Sequence, residues 1–269
     1  MFERKTAELG AGRLDYYVGG KAKSDSEGSP HLPVVMLHGA IGHLETEAHR
    51  LLAAGRRLYM PITPGHDGTA HLPGIDSMET LAALIAEFAG AELGGRCDLI
   101  GFSFGGWQAC WVAVNHPEIV ELLVLAGSAG FRPGGKGGMP GSQRELLRQL
   151  YAYPDKLPEN TRTPEMMQAN LENIFHYDLR EPLDQPLVDR LGEIQALTLI
   201  LHGTLEKIIP IETCRILSQA IPRHYLVYLY DAAHVLYADQ PERFASVVAD
   251  FLDRGVGFIV NQDLNSAAE

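Results

Sequence analysis

Apolar residues fall along this chain in short, mostly apolar runs rather than in alternation. Pro33 to Leu37, Arg57 to Ile62, Cys97 to Gly101, Ile119 to Ala126, Ala196 to Leu201 and Tyr225 to Tyr230 are such runs. A strand covered on both faces has no polar side, so these runs predict central parallel strands. Between them lie helix-compatible stretches at Glu45 to Gly55, Ser77 to Gly90, Gly106 to Asn115, Ile211 to Ala220 and Pro241 to Leu252, with Ser77 placed as an N-cap. Recurring strand, loop and helix predict an α/β fold with a mostly parallel sheet of about eight strands and helices on both faces. Residues Thr6 to Val18 alternate as an antiparallel edge strand or hairpin would, and 19–30 form a polar turn.

The rhythm breaks once. Phe131 to Gly141 is rich in Gly and Pro, and the following stretch reads as short helices interrupted by Pro154, Pro158, Pro164, Pro182 and Pro186. A helical insertion over 131–185, after the sixth strand, divides a core formed by 1–130 and 186–269. The tail from Gly255 onward gives no pattern.

The 269 residues suit one large α/β domain with a modest insertion, and such a chain buries enough surface to need neither metal nor disulfide. Acidic residues number 34 against 22 basic, for a formal charge of −12, which disfavours nucleic acid and anionic membrane as partners. Cys97, Cys110 and Cys214 have no paired spacing and are expected as buried free thiols. With no apolar signal core at the N-terminus and no membrane-length apolar run, the expectation is a cytoplasmic protein, monomer or homodimer, acting on a small molecule without a cofactor.

Gly101-Phe102-Ser103-Phe104-Gly105 fits G-x-S-x-G, with a strand before it and a helix after it. A serine on so tight a turn needs glycines where a Cβ would meet the neighbouring strand and helix, and the helix N-terminus favours negative charge beside it. A serine hydroxyl also needs a base, and the base an acid to orient it. His234, just after the last strand, is the best placed of 11 histidines. Glu206, after the preceding strand, is the favoured acid over Asp231 and Asp239, on the chain order Ser, acid, His. The N–H groups of Phe104 and Ala40 would hold an oxyanion. His38, His43, His49, His66 and His202 read as loop or pocket residues, without the spacing of a metal site.

At these residues the chain resembles the α/β-hydrolase family from Pro33 to Leu252, apart from the insertion. The segments carrying the likeness are LHGAIG at 37–42, TPGHDGT at 63–69, GFSFGGW at 101–107, the stretch 186–210 ending in Gly203-Thr-Leu-Glu206, and DAAHVLYADQPERFASVVADFL at 231–252. Glu206 stands where the family usually has Asp, and Ala233 where it usually has Gly. The resemblance implies a Ser103–His234–Glu206 triad and a helical cap over 131–185. It implies a pocket drawing on Trp107, Tyr151, Met167 and Phe175, with Met166 and Tyr177 as further sources. Ser103 at the elbow excludes the aspartate-nucleophile dehalogenases and epoxide hydrolases of the family. Esters of small, mainly apolar acids are the expected substrates. An alternative is hydrolysis of a carbon–carbon bond in a dienoic ring-cleavage product; relatives with that activity often carry a cap arginine, for which Arg180 and Arg190 are available. A second alternative keeps the fold and pocket as a ligand-binding or receptor protein that hydrolyses slowly or not at all.

Overall fold

The computed structural model describes residues 2–21, 31–135, 143–156, 163–177 and 181–259. The strands β1 (Glu3–Leu9), β2 (Gly12–Gly19), β3 (Val34–Leu37), β4 (Leu58–Pro61), β5 (Cys97–Phe102), β6 (Val120–Ala126), β7 (Leu197–Gly203) and β8 (His224–Leu229) form one sheet in the order β1-β2-β4-β3-β5-β6-β7-β8. The hairpin β1–β2 joins β4 antiparallel, and every pairing from β4 to β8 is parallel.

Helices cover both faces: α1 (Glu47–Ala53), α2 (Met78–Leu93), α3 (Phe104–Asn115), α7 (Ile211–Ala220), α8 (Leu236–Asp239) and α9 (Pro241–Arg254). The two cores show why the strand sequences do not alternate. Val35, Leu37, Leu99, Leu123 and Leu125 pack with α2, α3 and α7 on one face. Their neighbours Val34, Met36, Ile100, Phe102, Val124 and Ala126 pack with α1, α8 and α9 on the other. Successive side chains point to opposite faces, and both faces exclude water.

Local signals fix the helix ends. Ser77 and Thr80 form a capping box at the start of α2, and Gly94, at φ 81°, closes that helix. Pro241 occupies the first turn of α9, where its missing N–H costs nothing.

The residues described between β6 and β7 add no strand. They run through α4 (Gln143–Leu150), α5 (Pro164–Asn173) and α6 (Gln185–Val188), together with short 3₁₀ turns. The chain leaves and returns at one point, because Arg132 N–H donates to Pro182 O at 2.9 Å, Asp184 N–H donates to Gly130 O at 2.8 Å, and Phe131 bridges Leu183. Of the sequence expectations, 22–30 of the polar turn, 136–141 of the Gly/Pro-rich stretch, Pro158, Arg180 and the tail from 260 onward lie outside the described residues.

At the far end of the sheet from its carboxyl edge, Arg56 meets Asp98 at 2.7 Å and Asp253 at 2.7 Å. The side chains of Arg56 and Asp98 are 6% and 2% exposed, so this pair is desolvated. Breaking a buried pair leaves a bare charge in a medium that cannot solvate it, whereas removing both ions does not. Arg56→Ala is therefore expected to lower stability by roughly 3 kcal/mol in urea unfolding. Arg56→Met with Asp98→Leu should recover most of that loss.

Candidate active site

Because β3 and β5 to β8 run parallel, the loops after them meet at one rim. The loop after β5 holds Ser103 at φ 52°, ψ −114°, a conformation that costs a non-glycine residue energy and persists only under surrounding constraint. The constraint is visible. Ser103 N–H donates to Ala126 O on β6 at 3.0 Å, and Ser103 O accepts from Gly106, Trp107 and Ala129 N–H. A Cβ at Gly105 would collide with the carbonyl of Leu37, and one at Gly101 with the carbonyl of Gly105. The turn can be this tight only with glycine on both sides.

His234, carried between β8 and α8, lies with Nε2 2.9 Å from Ser103 Oγ. Its Nδ1 is 2.7 Å from Glu206 Oε2. If Nδ1 carries the proton it donates to the carboxylate, leaving Nε2 as acceptor for the serine hydroxyl. All three groups are almost wholly removed from solvent. Burial alone would raise the Glu206 carboxyl. The nearby His234 and the N–H groups of Ile208 and Ile209, which donate to Oε1, outweigh it and hold the carboxyl below its ordinary value. The rival acids are engaged elsewhere. Asp239 accepts from Ala152 and Ala233 N–H, and Asp231 sits on a left-handed turn with its N–H donating to Thr204 Oγ1.

Phe104 is the first residue of α3, so its N–H has no acceptor within the helix. Ala40 follows Gly39 in the turn after β3. His38 braces that turn: its Nε2 accepts from Thr63 N–H at 3.0 Å, which leaves Nδ1 to donate to Gly39 O at 2.8 Å. Ala40, Phe104, Ser103 and His234 all border one cavity of about 320 Å³.

The cavity wall agrees with the sequence reading only in part. Trp107 and Phe175 line it. Trp107 Nε1 donates to Asp184 at 2.7 Å, which fixes its indole plane. Tyr151 and Met167 do not line it; both are buried in the core with α1, α8 and α9. A buried aromatic or thioether reads the same in sequence whether it fills a core or faces a ligand. Tyr177 likewise packs inward and donates to Pro64 O, while Met166 is exposed. Arg190 is no pocket cation, since it pairs with Glu193 and Asn115 over the Trp111 ring. The apolar wall instead comes from Ile41, Phe102, Phe131, Leu146, Leu150, Leu171, Ile174, Ile208 and Ile209. Arg132, Lys207, Gln149 and Glu181 supply polarity. Ile208 and Ile209, two and three residues past Glu206, were within reach of sequence reasoning, because the loop that delivers Glu206 to His234 must also border the cavity.

Of the other histidines singled out, His38, His43 and His66 lie in loops, His49 in the first turn of α1 and His202 near the end of β7. His49 caps α1 by accepting Thr46 N–H, and His66 accepts from Asn173 Nδ2 at 2.6 Å. Among the described residues no group of three or more His, Cys, Asp or Glu converges as a metal site would, and no helix is long and apolar enough to cross a membrane.

The profile of the alpha/beta hydrolase family matches residues 34–247. The chain belongs to that family. It is similar to a 2-hydroxymuconate semialdehyde hydrolase of Pseudomonas sp. (strain CF600), 34% identical over 175 residues, or 58% of this chain and 62% of that protein. The chain thus spans less than two thirds of the length of that relative. It is also similar to a 2-hydroxy-6-oxononadienedioate/2-hydroxy-6-oxononatrienedioate hydrolase of Burkholderia vietnamiensis, 29% identical, with 84% of this chain and 89% of that protein covered. Among solved structures, a meta-cleavage product hydrolase from Pseudomonas fluorescens IP01 superposes with a TM-score of 0.71 at 20% identity, over 93% of this chain and 97% of that one. At that identity the likeness speaks for the fold alone.

Burial holds His49 at a pKa of about 4, and burial with the adjacent His38 holds His66 at about 3, both below the ordinary 6.5. The unfolded chain therefore takes up protons first on acidification. Stability from these neutral rings is complete above pH 6.5 and is lost as pH falls toward those values. Each histidine should cost roughly 2 kcal/mol by pH 5 relative to pH 7 in urea unfolding. His49→Asn, which keeps an acceptor for Thr46, should flatten that slope.

Proposed function

We propose that this chain is a serine hydrolase that cleaves a carbon–carbon bond beside a ketone in a small dienoic acid. Support comes from the Ser103–His234–Glu206 chain of contacts, which opens on an apolar cavity bearing the cations Arg132 and Lys207. The same contacts suit esters, the simpler expectation for an apolar pocket. The relatives named above tilt the reading toward the carbon–carbon bond. We read 131–185 as the cap that closes over this pocket, with α4 and α5 contributing Leu146, Leu150 and Leu171 to its wall.

Ser103 Oγ adds to the ketone carbon and its proton passes to His234 Nε2, while Glu206 stabilises the imidazolium. The charge formed on the carbonyl oxygen faces the Ala40 and Phe104 N–H groups in a site with little water. Transfer of the 2-hydroxyl proton to the carbon beside the ketone first converts the dienoate to its keto form. Collapse of the adduct then breaks the carbon–carbon bond, its electron pair is delocalised through the remaining double bond into the 2-keto acid as a dienolate, and His234 returns a proton to that fragment. Water, deprotonated by His234, then cleaves the Ser103 ester, releasing a carboxylic acid and the free hydroxyl. A carboxylate at the far end of the substrate would sit against Lys207 or Arg132.

The deciding assay compares a 2-hydroxy-6-oxo-dienoate with p-nitrophenyl esters. Faster turnover of the dienoate supports the carbon–carbon reading, and turnover of esters alone overturns it. Failure of a fluorophosphonate to label Ser103 would favour a binding protein. Ser103→Ala or His234→Ala should lower kcat by roughly 10⁴ to 10⁶, and Glu206→Ala by less. Lys207→Ala should raise KM for the dienoate several-fold while leaving a neutral ester unaffected.

A further inference from the structure

The cap side of the cavity and the turn bearing Ala40 are tied by two polar side chains that the chemistry itself does not use. Asn170, on α5, is 1% exposed. Its Nδ2 donates to Ile41 O at 2.9 Å and to Asp67 Oδ1 at 2.8 Å, and its Oδ1 accepts Asp67 N–H at 2.8 Å. Asp67 Oδ2 in turn accepts His43 N–H at 2.8 Å. The turn is thus gripped at Ile41 and at His43, on either side of Gly42. The fit there is close, because Gly42 has φ +88° and a Cβ on it would collide with Asp67 Oδ1 and Asn170 Nδ2. Ala40 precedes the first grip by one residue, and Leu171, next to Asn170, lines the cavity.

We infer that Asn170, acting through Ile41 and Asp67, is a positioning residue that sets the aim of the Ala40 N–H, so that substrate seated against α5 steadies the donor facing its carbonyl oxygen. The inference rests on the serine-hydrolase reading and deepens it. An amide of Asn size is required, because one group must donate twice from Nδ2 while accepting at Oδ1. Without it Ile41 O and Asp67 lose buried partners, and the turn relaxes by enough to spoil an alignment that is needed only once charge develops.

Asn170→Ala, made in the full chain, tests this with the best substrate found for the wild type. We expect kcat to fall about 10- to 100-fold with KM changing less than about threefold, since the lost contact matters in the transition state. The affinity for a trifluoromethyl ketone, which forms a tetrahedral adduct on serine, should fall in step with kcat/KM. Asn170→Asp keeps the acceptor for Asp67 N–H and loses both donations. It should behave likewise, and it serves if the alanine variant does not fold. Gln168→Ala, on the exposed side of the same helix, should match the wild type. Variants at 170 that raise only KM, or lower only thermal stability, overturn the inference and leave the hydrolase reading standing. A wild type that neither turns over substrate nor labels with a fluorophosphonate overturns both.

Discussion

The strained backbone at Ser103 is the constraint to which the surrounding structure answers. A side chain held at positive φ must be fixed by its neighbours, and here β6, α3 and the β6-side residue Ala129 each contribute a backbone bond to it. The glycines at 101 and 105 let the neighbouring carbonyls approach within a distance that any side chain would forbid. The geometry that turns the hydroxyl toward His234 is therefore an outcome of close sheet–helix packing, and it holds only while both core faces remain dense.

Glutamate at position 206 is one methylene longer than the aspartate more usual in the family, and the structure shows how the length is absorbed. One carboxylate oxygen is clasped by the Ile208 and Ile209 amides just ahead in the chain, folding the side chain back on its own turn. The other oxygen is left in line with His234. Ala233 in place of glycine meets no left-handed backbone, and its N–H is held by Asp239, which also holds Ala152 just past α4.

Much of this was legible in the sequence. Strand and helix positions followed from runs and caps, and Ser103, His234 and Glu206 followed from their places just beyond strands, where a parallel sheet gathers its loops. The cavity wall was harder. Tyr151 and Met167 have the composition of ligand contacts and the position of core residues, and only the rotation of their helices or loops about the sheet decides between the two. Asp67 lay within the TPGHDGT segment that carried the family likeness, but nothing there pointed to its partner, and Asn170 gave no signal at all. A single polar residue has no periodicity, and its partner lies 103 residues away.

The ion cluster of Arg56, Asp98 and Asp253 sits at the opposite end of the strands from Ser103. A desolvated charge cluster thus sits beneath one end of the open sheet, while the loops carrying Ser103, Glu206 and His234 gather at the other. Substitutions among the rim loops can redirect what the cavity accepts without touching the foundation, a division that leaves such a chain free to drift toward new substrates while it remains folded.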